Sequence, residues 1–99
     1  MYAALAAVAP SPIVDLNRGV AVSMAQGAAA GLAIVDELVR EPALREYHLL
    51  PSVRGDLLAR LERFDEARAE FERAASLARN QREQDLLIGR ARDCAARLS

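Results

Sequence analysis

Two side chains of this sequence are candidates for nucleophilic, acid–base or metal chemistry, and they lie far apart along the chain. His48 is the single histidine and Cys94 the single cysteine among 99 residues. A zinc site takes about four such ligands, and a catalytic thiol needs a partner base. The small neighbours Ala91 and Ala95 indicate that Cys94 is a core residue. With no Ser–His–Asp, paired-carboxylate or phosphate-loop pattern either, we expect a non-enzyme with no catalytic residue, metal or cofactor.

Recognition of a charged partner is the chemistry that the remaining side chains favour. Arg54, Asp56, Arg60 and Arg63 predict a mixed-charge face. Asp56 and Arg60 are four residues apart, the spacing of a simple helical ion pair. Arg54 and Asp56 are too close in sequence to face each other. The alternative to local pairing is partner binding by Arg54, Asp56 and Arg60.

Two further pairs of residues are candidates for partner binding. Asn17 and Arg18 follow a Pro-Ser-Pro segment, where Arg18 would pair with an acidic partner and Asn17 with a peptide backbone. The alternative is a local helix-start bond for Asn17 and a solvated Arg18. Tyr47 and His48 open a later helix, either as a pH-sensitive contact or as a structural staple against the preceding loop.

A nucleic-acid surface is disfavoured. The net charge is −1, from 13 basic and 14 acidic residues. The arginines near the end of the chain are interrupted by acidic residues and are not interleaved with aromatic rings for base stacking. They are Arg79, Arg82, Arg90, Arg92 and Arg97. We interpret them as the solvated surface of a terminal helix.

The composition predicts an all-α domain. Twenty-one residues are Ala, 14 are Leu and 13 are Arg, whereas only ten are Val or Ile. The length fits one domain, residues 1–99. The single cysteine is typical of a reducing cytoplasm. The apolar run at the start lacks a basic n-region, and no run reaches the length of a membrane span.

Hydrophobic spacing and breakers divide the chain into six predicted helices. They cover residues 2–9, 13–25, 28–39, 47–60, 65–78 and 81–98. Gly27, Pro42 and Asn80 mark three of the boundaries, with Asn80 and Glu83 resembling a capping box. Val39 is expected to lie inside. Short links between the helices favour antiparallel hairpins.

An internal repeat lies within this pattern. Gly55, Leu58, Phe64, Ala67, Phe71 and Ala74 have the small-and-large spacing of a tetratricopeptide repeat. A weaker copy, Gly31, Val35 and Leu38, lies 36 residues before Ala67, Phe71 and Ala74. The division is then 1–10 as the end of an incomplete repeat, 11–42 and 47–80 as repeats, and 81–99 as a C-terminal capping helix. Glu62 stands at the usual turn glycine, which predicts a looser or less left-handed turn.

Several blocks resemble one bacterial protein family. They are YAAL at residues 2–5, APSP at 9–12, LNRGVAV at 16–22, GAAAGL at 27–32, YHLL at 47–50 and RGDLLARL at 54–61. This series is similar to the C-terminal extension of a large group of extracytoplasmic-function (ECF) sigma factors. The resemblance implies a tetratricopeptide-like, right-handed α-solenoid. The family usually has Gly at Glu62, and Ala at Gly19 and Gly55.

That resemblance implies a cytoplasmic regulatory interaction domain that controls transcription initiation in a longer parent protein. Its implied partners are the sigma regions of the parent, RNA polymerase or a regulator protein, with no direct contact to nucleic acid and none to a membrane. Because Tyr2 enters in mid-repeat, we expect sequence before Met1 in the parent. The alternative is a stand-alone helical adaptor that binds a peptide or forms a homodimer through Tyr2, Leu5 and Val8.

Overall fold

Five α-helices and one short 3₁₀ turn make up the part of the chain that the structure describes. The computed structural model describes residues 12–98; the predicted helix over 2–9, with the dimer face of Tyr2, Leu5 and Val8, lies outside them. The helices are α1 (Pro12–Gln26), α2 (Ala28–Leu38), α3 (Leu49–Arg60), α4 (Phe64–Leu77) and α5 (Gln81–Arg97), with the 3₁₀ turn at Pro42–Leu44. Residues 12–98 contain no strand, which confirms the all-α prediction.

Each helix packs mainly against the next one in the chain. The contacts join α1 to α2, α2 to α3, α3 to α4 and α4 to α5. Three of the links are short: Gly27 alone, residues 61–63 and residues 78–80. The fourth, residues 39–48, is longer and contains the 3₁₀ turn. Pro51 falls in the first turn of α3, where a missing N–H costs little. None of the helices in residues 12–98 has the length and apolarity needed to cross a bilayer.

The interface between α1 and α2 is built from small residues. Gly19, Ser23 and Gly31 are all buried there. A methyl group added to Gly31 would lie 2.5 Å from the Ser23 Cβ and 2.8 Å from the Gly19 carbonyl oxygen. The Ser23 hydroxyl donates to the Val20 carbonyl oxygen at 2.6 Å, so its burial leaves no polar group unpaired. The two backbones therefore approach each other closely.

Two apolar residues that marked the first helices in the sequence face solvent. Val39 is exposed, so the prediction that it lies inside is wrong. The physical reason is that α2 ends at Leu38. Val39 therefore lies outside the row of buried residues that includes Leu32 and Leu38. Met24 is 78% exposed on α1, because the inward positions of that helix belong to Leu16 and to its small residues.

The core of the second half is centred on Phe71. Its side chain is 1% exposed, and an added Gly55 Cβ would lie 3.0 Å from its ring. Ala67 and Ala74, one turn to either side, are fully buried. Cys94 of α5 is buried as well, which agrees with the core position predicted for it, and burial raises the pKa of its thiol. Small residues thus bring α3, α4 and α5 around one aromatic ring.

The turn between α3 and α4 is left-handed, so the prediction of a less left-handed turn at Glu62 is wrong. Glu62 has φ of 60°. Its N–H donates to the Ala59 carbonyl oxygen at 3.0 Å, and the Arg63 N–H donates to the Leu58 carbonyl oxygen at 2.9 Å. This pair of bonds is the Schellman motif, which satisfies the last carbonyls of the helix. The bonds hold the backbone in this region even though the residue is not glycine.

Replacing Glu62 by Gly is expected to raise the free energy of unfolding by about 1 kcal/mol. The left-handed region costs a residue with a Cβ about 1–2 kcal/mol, and glycine avoids that cost. Urea unfolding followed by circular dichroism measures the change. Ala33→Gly, at an exposed position in the middle of α2, is the control and is expected to lose about 1 kcal/mol. A loss of stability in Glu62→Gly would contradict the account of this turn.

The start of α5 keeps half of the predicted capping box. The Asn80 side-chain oxygen accepts from the Glu83 N–H at 2.8 Å, as an N-cap should. The Glu83 carboxylate does not reach back along its own helix; its Oε2 lies 3.4 Å from His48 Nε2. Glu83 therefore connects α5 to the beginning of α3.

Candidate functional site

The seven candidate binding residues lie on two helices and one link. Arg54, Asp56 and Arg60 belong to α3, Tyr47 and His48 immediately precede it, and Asn17 and Arg18 are exposed on α1. α3 packs against both α2 and α4. Only the part of its surface that these two helices leave uncovered is accessible to a partner.

Asp56 pairs with two arginines. Its Oδ1 lies 2.6 Å from Arg90 Nη2 of α5, and its Oδ2 lies 3.1 Å from Arg60 Nη2, one turn further along α3. The structure thus contains the Asp56–Arg60 pair that the i, i+4 spacing predicts. Arg90 also lies over the Phe71 ring, 4.8 Å from its centroid, so it is held by both a charge and an aromatic face. The interpretation of Arg90 as a merely solvated residue is therefore wrong.

Arg54 faces the opposite side of α3. Its Nε lies 2.8 Å from Asp36 Oδ1 of α2, and its Nη1 lies 3.2 Å from Glu70 Oε1 of α4. Two residues along a helix rotate a side chain by about 200°, which separates Arg54 from Asp56. The single mixed-charge face predicted for Arg54, Asp56 and Arg60 is therefore divided between two sides of the helix. Asp36 is one half of an ion pair between α2 and α3.

Glu70 is the most buried carboxylate of this ion-pair cluster. Burial raises the pKa of Glu70 above its ordinary value, and the Arg54 guanidinium opposes that rise. Both side chains are 20% exposed. Arg54 therefore joins α2, α3 and α4 and is placed to stabilise their packing, since its donors are directed to residues of this chain.

Tyr47 and His48 contact each other and two different parts of the fold. Their rings are perpendicular, with centroids 5.9 Å apart. Tyr47 is half-buried against the core, which favours the staple interpretation for it. His48 reaches Glu83 of α5 instead. The pair thus closes one end of the surface between α3 and α5.

A groove lies along α3 on the side that faces α1 and α5. Its larger part, about 480 Å³, is lined by Val20 and Met24 of α1, Val53 and Asp56 of α3, and Arg90 of α5. Ser52 connects it to a smaller part of about 190 Å³.

We call both parts together the inner groove. The complete lining is Val20, Ser23 and Met24 of α1; His48, which immediately precedes α3; Leu49, Ser52, Val53, Asp56, Leu57 and Arg60 of α3; and Glu83, Leu86, Leu87 and Arg90 of α5. The α3 residues recur every three or four positions, which is one helical face. Each part combines apolar and charged side chains. Met24 and Val53 lie with Asp56, Arg60 and Arg90 in the larger part, and Leu49 and Leu86 lie with His48 and Glu83 in the smaller part.

Two of the candidate residues line the larger part of the inner groove, and others border it. Asp56 and Arg60 are in its wall, and His48 lies in the smaller part. Asn17 lies three residues before Val20, so it continues the same stripe of α1. The structure does not bring Arg54 into the groove.

The groove residues that sequence reasoning missed are Met24, Leu86 and Arg90. Leu86 and Leu87 are adjacent, so a helix can bury only one of them fully; that pattern was a usable signal for an exposed leucine, and Leu86 is 65% exposed. Met24 carried no such signal. Nothing local marks Arg90, because its partner Asp56 is 34 residues away.

A second depression of similar size, about 470 Å³, lies between α4 and α5. Ala75, Ile88 and Ala91 form its floor, and Arg68 and Glu72 form part of its rim. It contains none of the candidate residues. Residues 12–98 also hold no group of three or more His, Cys, Asp or Glu side chains arranged for a metal. The inner groove is therefore the best candidate for a functional site.

Comparisons with known proteins give one relative and no family. The chain is 46% identical over 80 residues to an uncharacterized protein of Rhizobium meliloti (strain 1021). That alignment covers 81% of this chain and 18% of the relative, so the chain spans less than a fifth of the length of the curated protein it matches. No protein-family model matches the sequence. No solved structure matches it either.

Proposed function

We propose that this chain is a non-enzymatic regulatory interaction module that binds its partner in the inner groove. The observation that carries the proposal is the composition of that groove. It is lined by α1, α3 and α5, which alternate along the chain with α2 and α4, and by none of the residues of α2 and α4. Helical repeat proteins stack hairpins so that such a row of helices forms one extended binding surface.

A tetratricopeptide-like arrangement is part of this proposal. Val35 and Leu38 of α2 and Phe71 and Ala74 of α4, which are 36 residues apart, are all buried. The links at Gly27 and Glu62, 35 residues apart, both have positive φ, of 101° and 60°. Equal spacing of buried positions and of turns supports a repeated hairpin.

We propose further that the parent protein is a cytoplasmic ECF sigma factor. The support is the resemblance of the blocks at residues 16–22, 27–32 and 54–61. The length of the relative is consistent with it: if 80 residues are 18% of that protein, it has about 440 residues, which leaves room for other domains of about 100–150 residues. In this proposal the sigma regions contact DNA and polymerase, and the present chain regulates them.

Binding between purified proteins tests this function. The bait is the pair of sigma regions encoded in frame with this chain or in a neighbouring gene, and RNA polymerase is a second bait. We expect the 99-residue chain to bind one of them, and Met24→Gln together with Arg60→Gln to weaken that binding. Arg82→Gln, an exposed arginine of α5 outside the groove lining, is the control. An upstream stop codon with no sigma-like sequence in frame or nearby would reject the sigma assignment.

The stand-alone adaptor is the second candidate, favoured by the exposed apolar residues of the groove. Met24 and Leu86 are more than half exposed although both are large and apolar. An adaptor would use the same groove for a peptide without any sigma region. It is also the candidate that predicts a homodimer through Tyr2, Leu5 and Val8, so light scattering that finds a monomer at high concentration counts against dimerisation.

A further inference from the structure

We propose that the occupant of the inner groove is an amphipathic helix of the partner that carries a carboxylate at the Arg60 end. This inference rests on the proposed function, since it names the chemistry of the partner in the same groove. It depends on the different charges at the two ends of the groove and on the exposed apolar side chains that both of its parts contain.

The Arg60 end of the groove carries one more positive than negative charge. Two guanidinium groups, of Arg60 and Arg90, share the single carboxylate of Asp56. Each arginine has five N–H donors, and Arg60 directs one of its nitrogens to Asp56 while its side chain stays 53% exposed. A second carboxylate, brought by a partner, would neutralise the excess charge and accept hydrogen bonds in the paired geometry that arginine favours.

The opposite end of the groove discriminates against the same group. Glu83 lies there, 3.4 Å from His48. A partner carboxylate placed beside Glu83 would meet a like charge, which disfavours the reversed orientation. The unequal ends therefore specify the direction in which the partner lies.

Exposed apolar side chains along the groove select an apolar helical face. Met24, in the part that holds Arg60, is 78% exposed, and Leu49 and Leu86, in the part that holds His48, are 41% and 65% exposed. From Leu49 to Arg60 the α3 surface extends about 16 Å, the length of three helical turns. Residues 12–98 offer no strand edge to an extended peptide, whereas a helix satisfies its own backbone and needs only side-chain contacts.

The chain's own first residues do not fit this description. Residues 1–11 contain no Asp or Glu. They include apolar residues that could contact the groove but no carboxylate for Arg60. Charge complementarity therefore favours another protein as the occupant.

An array of synthetic peptides tests the proposal on the 99-residue chain alone. The probes are 15-residue peptides with leucine at positions i, i+3, i+4 and i+7 of a helix and one varied position in a terminal turn. We expect Asp or Glu at that position to bind about tenfold more tightly than Asn or Gln, the effect of one charge-assisted hydrogen-bonded pair. Arg60→Gln is expected to abolish the preference and Arg82→Gln to retain it.

Two further measurements separate the apolar contribution to binding from the contribution of charge. Met24→Gln is expected to weaken all peptides by a similar factor while the acid preference persists, and 1 M salt is expected to reduce the preference, because exposed charges are screened. Absence of binding, equal binding of acidic and amide peptides, or a preference that persists in Arg60→Gln would overturn the proposal. So would binding of a residue 1–11 peptide as tight as that of the acidic peptides. Failure here leaves binding to sigma regions unaffected, and success here stands even where the sigma baits do not bind.

Discussion

Replacing Gly31 by Ala is expected to lower the free energy of unfolding by about 2 kcal/mol, although alanine is the better helix former. The added Cβ would lie 2.5 Å from the Ser23 Cβ and 2.8 Å from the Gly19 carbonyl oxygen. One of those atoms is backbone, so α1 and α2 must separate. Overpacking costs about 1–3 kcal/mol, and at these distances we expect it to exceed the roughly 1 kcal/mol gained from helix propensity.

Gly89→Ala is the matched control for Gly31→Ala. Gly89 is also inside a helix, α5, but an added Cβ would have nothing within 4 Å. This variant is expected to gain about 1 kcal/mol, so the two glycines have effects of opposite sign. Urea unfolding of both variants measures the difference. A stabilised Gly31→Ala would show that α1 and α2 do not approach as closely as the structure has them.

Replacing Arg54 by Gln is expected to cost about 1–2 kcal/mol at pH 7 and clearly less near pH 4. At pH 7 the substitution leaves the half-buried Glu70 carboxylate without its guanidinium partner, which is the costly case for a charged group. Burial raises the pKa of Glu70 in the folded chain above its value in the unfolded chain. The contribution of the protonated Glu70 carboxyl to stability is therefore fully present below the unfolded-state pKa and is lost as pH rises through the folded-state pKa. Without Arg54 that pKa rises further, so the loss is greatest where Glu70 is ionised.

Arg63→Gln separates this effect from the general removal of a charge. Arg63 pairs with Glu66 on the surface, with Nη2 2.8 Å from Oε1. Exposed ion pairs contribute little to stability, so we expect only a small loss. Urea unfolding at both pH values compares the two variants. Equal losses at pH 7 and pH 4 in Arg54→Gln would rule out Glu70 as the group that makes the pair important.

Much of the helical framework could be predicted from the sequence because its signals are local. Asn80 marks the start of α5, Gly27 the end of α1, and Pro51 the first turn of α3. The regular spacing of Ala67 and Phe71 predicts which side of α4 is buried, since a helix repeats every 3.6 residues. These features depend on residues within one or two turns.

The details that failed depend on partners distant in sequence or on backbone energetics. Val39 looked like a core residue because it continues an apolar run, and only the end of α2 at Leu38 places it outside. The Glu62 turn stays left-handed because two backbone hydrogen bonds outweigh the cost of a Cβ, and no side-chain pattern reports that balance. Arg54 and Arg90 were assigned to surfaces because their partners, Asp36 and Asp56, lie 18 and 34 residues away.

The central claim is that the inner groove regulates a sigma factor, and transcription from a promoter of the parent factor tests it most directly. Full-length parent proteins would carry Met24→Gln with Arg60→Gln, or Arg82→Gln alone, at matched protein levels. The account predicts that the double groove variant shifts reporter output several-fold away from that of the unaltered parent, whereas Arg82→Gln leaves it unchanged. Equal output from all three proteins would contradict a regulatory role for this groove.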